Sequence, residues 1–105
     1  MAAMDTMRTT HTIPLDLQLS DHPSVRFLRA EVNAGEVTSF ALVRYAVRGI
    51  ERSKALRLDL DKRTFIDPGE LEDGDDFREI ARRIAPTIAE RVAGEMKAWF
   101  SSRRV

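Results

Sequence analysis

The chain contains no cysteine, and that absence excludes disulfide scaffolds, thiolate zinc sites and cysteine nucleophiles together. Its 105 residues must hold together by packing alone, and a reducing cytoplasmic setting is expected. An excess of charge of either sign is also missing. The 17 basic residues balance 17 acidic ones, so the protein is neither uniformly basic nor uniformly acidic, and electrostatic targeting must come from local clustering. No apolar run approaches the roughly eighteen residues of a membrane-spanning helix. Residues 1–12 have neither the basic start nor the apolar middle of an export signal. The expectation is a soluble, unexported protein.

Catalytic vocabulary is absent too. There is no phosphate-binding glycine loop, dinucleotide fingerprint, paired-histidine helix motif, nucleophile elbow or internal repeat. The two histidines are His11, in the opening segment, and His22, in a turn; neither has a second histidine at helical spacing. Both are expected to be exposed loop residues. No catalytic residue, metal ligand or cofactor is therefore implied. The acidic run from Asp67 to Asp76 holds six carboxylates, but it lacks the every-second-position spacing of a calcium loop. It is expected to be a solvated connector whose charge suits a following helix N-terminus.

What is present is periodicity. The length and the 43% hydrophobic content suit one domain with one core. Residues 1–12 carry small and hydroxyl side chains without periodic apolar positions and read as a flexible tail, leaving 13–105 as the domain. Ile13, Leu15, Leu17 and Leu19 alternate with polar residues as a half-buried strand does, and Pro14 confines that strand to a sheet edge. Residues 25–32 admit two readings. As a helix, Val25, Leu28 and Val32 share a face ended by Gly35; as a strand, Leu28, Ala30 and Val32 alternate with Arg29 and Glu31. The strand is preferred.

Between Val37 and Arg48, Phe40 and Leu42 point one way while Ala41, Val43, Tyr45 and Val47 point the other. That pattern predicts a central strand buried on both sides. Gly49 to Arg52 can reverse the chain before Leu56, Leu58 and Leu60 alternate with Arg57, Asp59 and Asp61, and Thr64 to Ile66 can return after a polar turn. From Phe77 onward the period changes. Phe77, Ile80, Ala81, Ile84, Ile88, Val92, Met96 and Trp99 recur at helical spacing, capped by acidic residues near Asp75. Pro86 lies inside this stretch and is expected to kink or split it. The fold class is then α+β: an antiparallel meander of three to five strands covered on one face by a long C-terminal helix. Its expected core is Phe40, Leu42, Leu56, Leu58, Leu60, Ile80, Ile84 and Ile88.

Two features bear on function. A helix from Asp75 to Phe100 would be about 39 Å long, so Met96, Trp99 and Phe100 are expected to outrun the sheet and to pack against a second copy. The second feature is arginine. The net charge is +4 over Arg26–Arg63 and +4 over Phe77–Val105, offset by the acidic connector and the N-terminal segment. Arg44, Arg48 and Arg57 could share a sheet face, with Arg82, Arg83, Arg103 and Arg104 extending it as phosphate contacts. Glu31 and Asp59 alternate into the same strands, so cross-strand ion pairing is the simpler use. The leading expectation is a non-enzymatic protein-interaction module, homodimeric through its C-terminal helix, with an unidentified protein partner able to use a free sheet edge. The alternative is a small nucleic-acid-binding protein using those arginines, and an enzyme assembled at a subunit interface is a third reading.

Overall fold

A computed structural model describes residues 10–33, 39–66 and 75–102. The side chains of Asp75 and of Trp99 to Ser102 are outside that description, as are the expected turn at Ala34 to Glu36, most of the acidic connector, and Arg103 and Arg104. The elements run β1 (Thr10–Leu19), β2 (His22–Asn33), β3 (Phe40–Val47), β4 (Ile50–Glu51), β5 (Leu56–Asp59), β6 (Thr64–Ile66) and α1 (Asp75–Ser102). This is the α+β architecture expected, an antiparallel sheet of order β1-β2-β3-β5-β6 packed against one C-terminal helix. The short β4 pairs with the end of β3.

Local chemistry explains each turn. Ser20 and Asp21 link β1 to β2, Arg48 and Gly49 link β3 to β4, and both residues of the latter turn have positive φ, 52° and 83°. Such two-residue reversals match the right-handed twist of the strands they join. After β5, the Asp59 carboxylate accepts hydrogen bonds from the backbone N–H groups of Asp61 and Lys62, at 3.0 and 2.9 Å. That side-chain turn returns the chain into β6. Pro14 sits on β1, which is an edge strand as its missing N–H requires. The strand reading of residues 25–32 holds across β2.

The strand registers show how the core is assembled. Ile13, Ala30, Val43 and Leu56 lie in one lateral row across four strands; Ala41, Leu58 and Phe65 form a second, and Leu17, Phe27 and Tyr45 a third. Phe27 is fully buried, its ring 6.2 to 6.4 Å from those of Tyr45, Phe65 and Phe77. The apolar stripe of α1 closes over these rows with Phe77, Ile80, Ala81, Ile84, Ala85, Ile88, Ala89 and Val92. Among the described residues no polar or charged side chain is buried in this core.

Three core expectations need correction. Phe40 and Leu42 are 40% and 44% exposed, because among the described residues the one helix covers the opposite face of the sheet. Strand β3 is therefore central but buried on one side only. Leu28, which the strand reading set on one face with Ala30 and Val32, does not enter the core with them; Phe27 does. The register of β2 against β3 slips between Phe27 and Arg29, so one extra residue is accommodated in β2 and the inward phase passes from Val25 and Phe27 to Ala30 and Val32. Finally, Leu60 packs against the core only in part, as it lies in the turn beyond β5.

Pro86 does not split the helix, which runs unbroken through 28 residues. Its ring lies on the exposed side, where the carbonyl it leaves without an amide partner can meet water. Ile84 and Ala85 before it and Ile88 and Ala89 after it pack into the same core.

Candidate functional site

The uncovered face of the sheet is built by the same alternation that builds the core. Thr12, Glu31, Leu42, Arg57 and Ile66 form one lateral row across five strands. Phe40, Asp59 and Thr64 flank that row on one side, and Pro14, Arg29 and Arg44 on the other. Leu42 thus stands between an acid on β2 and a base on β5. The Arg57 guanidinium lies over the Phe40 ring, 5.1 Å from its centroid, as a cation over an aromatic face. The exposed apolar surface of the sheet is concentrated at Phe40 and Leu42; exposed Ile50 lies on β4, paired with Val47.

The rest of this face is tied by ion pairs. Arg29 donates to both carboxylate oxygens of Glu51, at 2.8 and 3.4 Å, and these bonds lower the Glu51 carboxyl below its ordinary value and raise that of Arg29. Arg44 lies 3.7 Å from Glu31 and donates to the Ser53 carbonyl at 2.8 Å. Arg26 reaches Asp16 at 2.8 Å and Gln18 at 3.1 Å, bracing a residue whose φ is +51°. Charges are therefore largely matched here, each arginine facing a carboxylate, as favourable cross-strand pairing of opposite charges requires.

The arginines expected to form a phosphate footprint are not brought to one surface. Arg44 and Arg57 belong to the uncovered face, whereas α1, which carries Arg82 and Arg83, lies against the opposite one. Arg82 pairs with Glu79 one helical turn away at 2.7 Å. Arg83 donates to Asp21 at 2.8 Å, tying the helix to the β1–β2 turn and lowering the Asp21 carboxyl below its ordinary value. Arg48 stands apart, in the β3–β4 turn.

Of the expected self-association residues, Met96 is half-buried and packs against the protein's own core. Trp99 and Phe100 occupy the last turns of α1, and their side chains fall outside the described residues. Comparison with protein-family models, curated proteins and solved structures finds no match for this chain. Function must be read from geometry. Among the described residues no three His, Asp or Glu side chains converge closely enough to hold a metal ion, and no helix is long and apolar enough to cross a membrane. The surface centred on Phe40 and Leu42 escaped sequence reasoning, which placed both in the core. Their alternation was visible, but nothing local marks which side of a strand a distant helix will cover.

Proposed function

We propose that this chain is a non-enzymatic protein-interaction module that self-associates. One observation carries the reading: a sheet that, among the described residues, is covered by a helix on one side, with Phe40 and Leu42 exposed on the other and flanked by charges of both signs. A two-fold axis parallel to β3, passing above Leu42, would lay Glu31 of one copy over Arg57 of the other while the two Leu42 side chains meet. Such a face is complementary to itself. The zero formal charge of the chain adds no long-range repulsion between copies. By sequence spacing Met96, Trp99 and Phe100 continue the apolar stripe of α1 beyond Val92, and they are the second surface we propose for the same activity. Nucleic-acid binding has less support, since Arg44, Arg82 and Arg83 already face carboxylates.

The test is solution mass by light scattering over a wide protein concentration range, at low and high salt. The expected result is a dimer that persists in salt and that becomes monomeric in Phe40→Asp or Leu42→Asp, both exposed positions whose replacement leaves the core intact. Dissociation by Trp99→Asp, with both sheet variants still dimeric, would move the contact to the helix end. A monomer at every concentration would overturn self-association.

A further inference from the structure

The uncovered sheet face can meet a copy of itself about a two-fold axis that runs along β3 or about one that runs across it, and the two bring different residues together. Glu31 on β2 and Arg57 on β5 lie directly opposite Leu42, on its two sides. An axis along β3 above Leu42 exchanges those sides and sets each Glu31 over the other copy's Arg57. An axis across the strands sets Glu31 over Glu31 and Arg57 over Arg57. We infer that Glu31 and Arg57 are the specificity determinants of this face, so that it takes a second copy of this chain with the strands of the two sheets parallel. The inference rests on the self-association proposed above and fixes its register.

Position and local pairing single out these two charges. Arg57 is exposed, with its guanidinium over the Phe40 ring. Glu31 lies 3.7 Å from Arg44, beyond hydrogen-bond length, and its side chain is 25% exposed, so its carboxylate can accept from a second guanidinium. The charges that flank them are engaged within the chain. Arg29 is held by Glu51, Arg44 donates to the Ser53 carbonyl, and Asp59 accepts from the backbone N–H groups of its own turn. Thr12 and Ile66, at the two ends of the row, are uncharged. Within the row, Glu31 and Arg57 are thus the residues whose contacts turn from attractive to repulsive when the axis turns.

The size of the face explains why charge decides the arrangement. The five strands of the row, at about 4.8 Å spacing and over about 20 Å of strand length, give roughly 500 Å² per copy and roughly 1,000 Å² per dimer, the low end for a specific interface. The Leu42 contact at its centre is apolar and carries no direction. Two-fold symmetry repeats every charged contact, so one axis gains a pair of ion pairs and the other meets a pair of like-charge contacts. Such contacts set register and reject wrong arrangements more than they add affinity. Salt should therefore leave the dimer in place while weakening its choice of register.

The test compares the full-length parent with Glu31→Arg, with Arg57→Glu, and with both changes in one chain. Both positions lie outside the core, and a retained cooperative thermal transition shows that each variant is folded. The dimer Kd at low salt, from sedimentation equilibrium, should rise about tenfold or more in either single variant, where every Glu31–Arg57 contact becomes one of like charge. In the double exchange it should return to within about threefold of the parent. Isotope-labelled parent mixed with the unlabelled double exchange and read by native mass spectrometry should give fewer mixed dimers than the half that random pairing yields, and a share closer to half at high salt. This mixing experiment stands without the single variants. Mixed dimers above half would place the axis across the strands and overturn the assignment, as would an unchanged Kd in a folded single variant. If Phe40→Asp and Leu42→Asp become monomeric while the charge variants pair as the parent does, self-association stands and this register falls. A parent that is monomeric at every concentration overturns both.

Discussion

Replacing Phe27 with alanine while separately replacing its neighbour Leu28 tests the central feature of the β2 register. Phe27 is fully buried among Tyr45, Phe65 and Phe77, so the truncation removes the side chain that joins the sheet's aromatic residues to the helix. Phe→Ala in a packed core costs about 3–5 kcal/mol, from lost transfer energy and the cavity left behind. A domain of this length has a total stability of roughly 5–15 kcal/mol, so at least about a fifth of it is at stake. Leu28 is half-buried and outside the core cluster, and its truncation should cost about 1 kcal/mol or less. Urea denaturation followed by circular dichroism measures both. With a slope of about 2 kcal/mol/M, the midpoint should fall by about 2 M for Phe27→Ala and by under about 0.5 M for Leu28→Ala. Equal losses, or a larger one at Leu28, would refute the register slip and restore the uninterrupted alternation.

Two further outcomes follow from the helix. Ile84→Asp puts a carboxylate into the apolar contact between α1 and the sheet, and should abolish the cooperative thermal transition; a native-like transition would refute the helix placement. Arg83→Gln removes the hydrogen bond that lowers Asp21 below its ordinary value of 3.8. Because the folded value is the lower one, the contribution is full above pH 3.8 and is lost as pH falls through the folded value. The stability difference between parent and variant, measured by denaturation from neutral to acidic pH, should therefore shrink below that point and shrink with added salt. A difference independent of both would mean that Arg83 acts through packing instead.

Periodicity is a local property, and what it controls was legible. The alternation at Ile13 to Leu19 and at Leu56 to Leu58, and the helical stripe from Phe77 to Val92, each belong to the element that the residue spacing predicts. Pro14 marked an edge strand for a reason contained in one residue, its missing N–H. Pro86 shows where local reasoning stops: the apolar residues on either side of it find the same core, and tertiary packing carries the helix past the break.

The sites were less legible for the same reason. An arginine's sequence position does not reveal whether a carboxylate will stand beside it. Arg83 meets Asp21, 62 residues away, and Arg29 meets Glu51 across the sheet. The pairing of β2 with β3 groups His22, Arg48 and Arg52 around one cleft, and the docking of α1 adds Asp76 to it.

By itself, then, the sequence determined the kind of β1, β3, β5 and α1, the edge position of β1 and the apolar stripe of α1, because each follows from the spacing of neighbouring residues, whereas it left residues 25–32 open between helix and strand and read β4 as part of a turn. Only the tertiary structure decided that Phe27 rather than Leu28 enters the core, that Phe40 and Leu42 face outward, and which arginines are paired. Those outcomes depend on an extra residue accommodated between paired strands and on which face of the sheet α1 covers, and both are set by contacts between segments far apart in the chain.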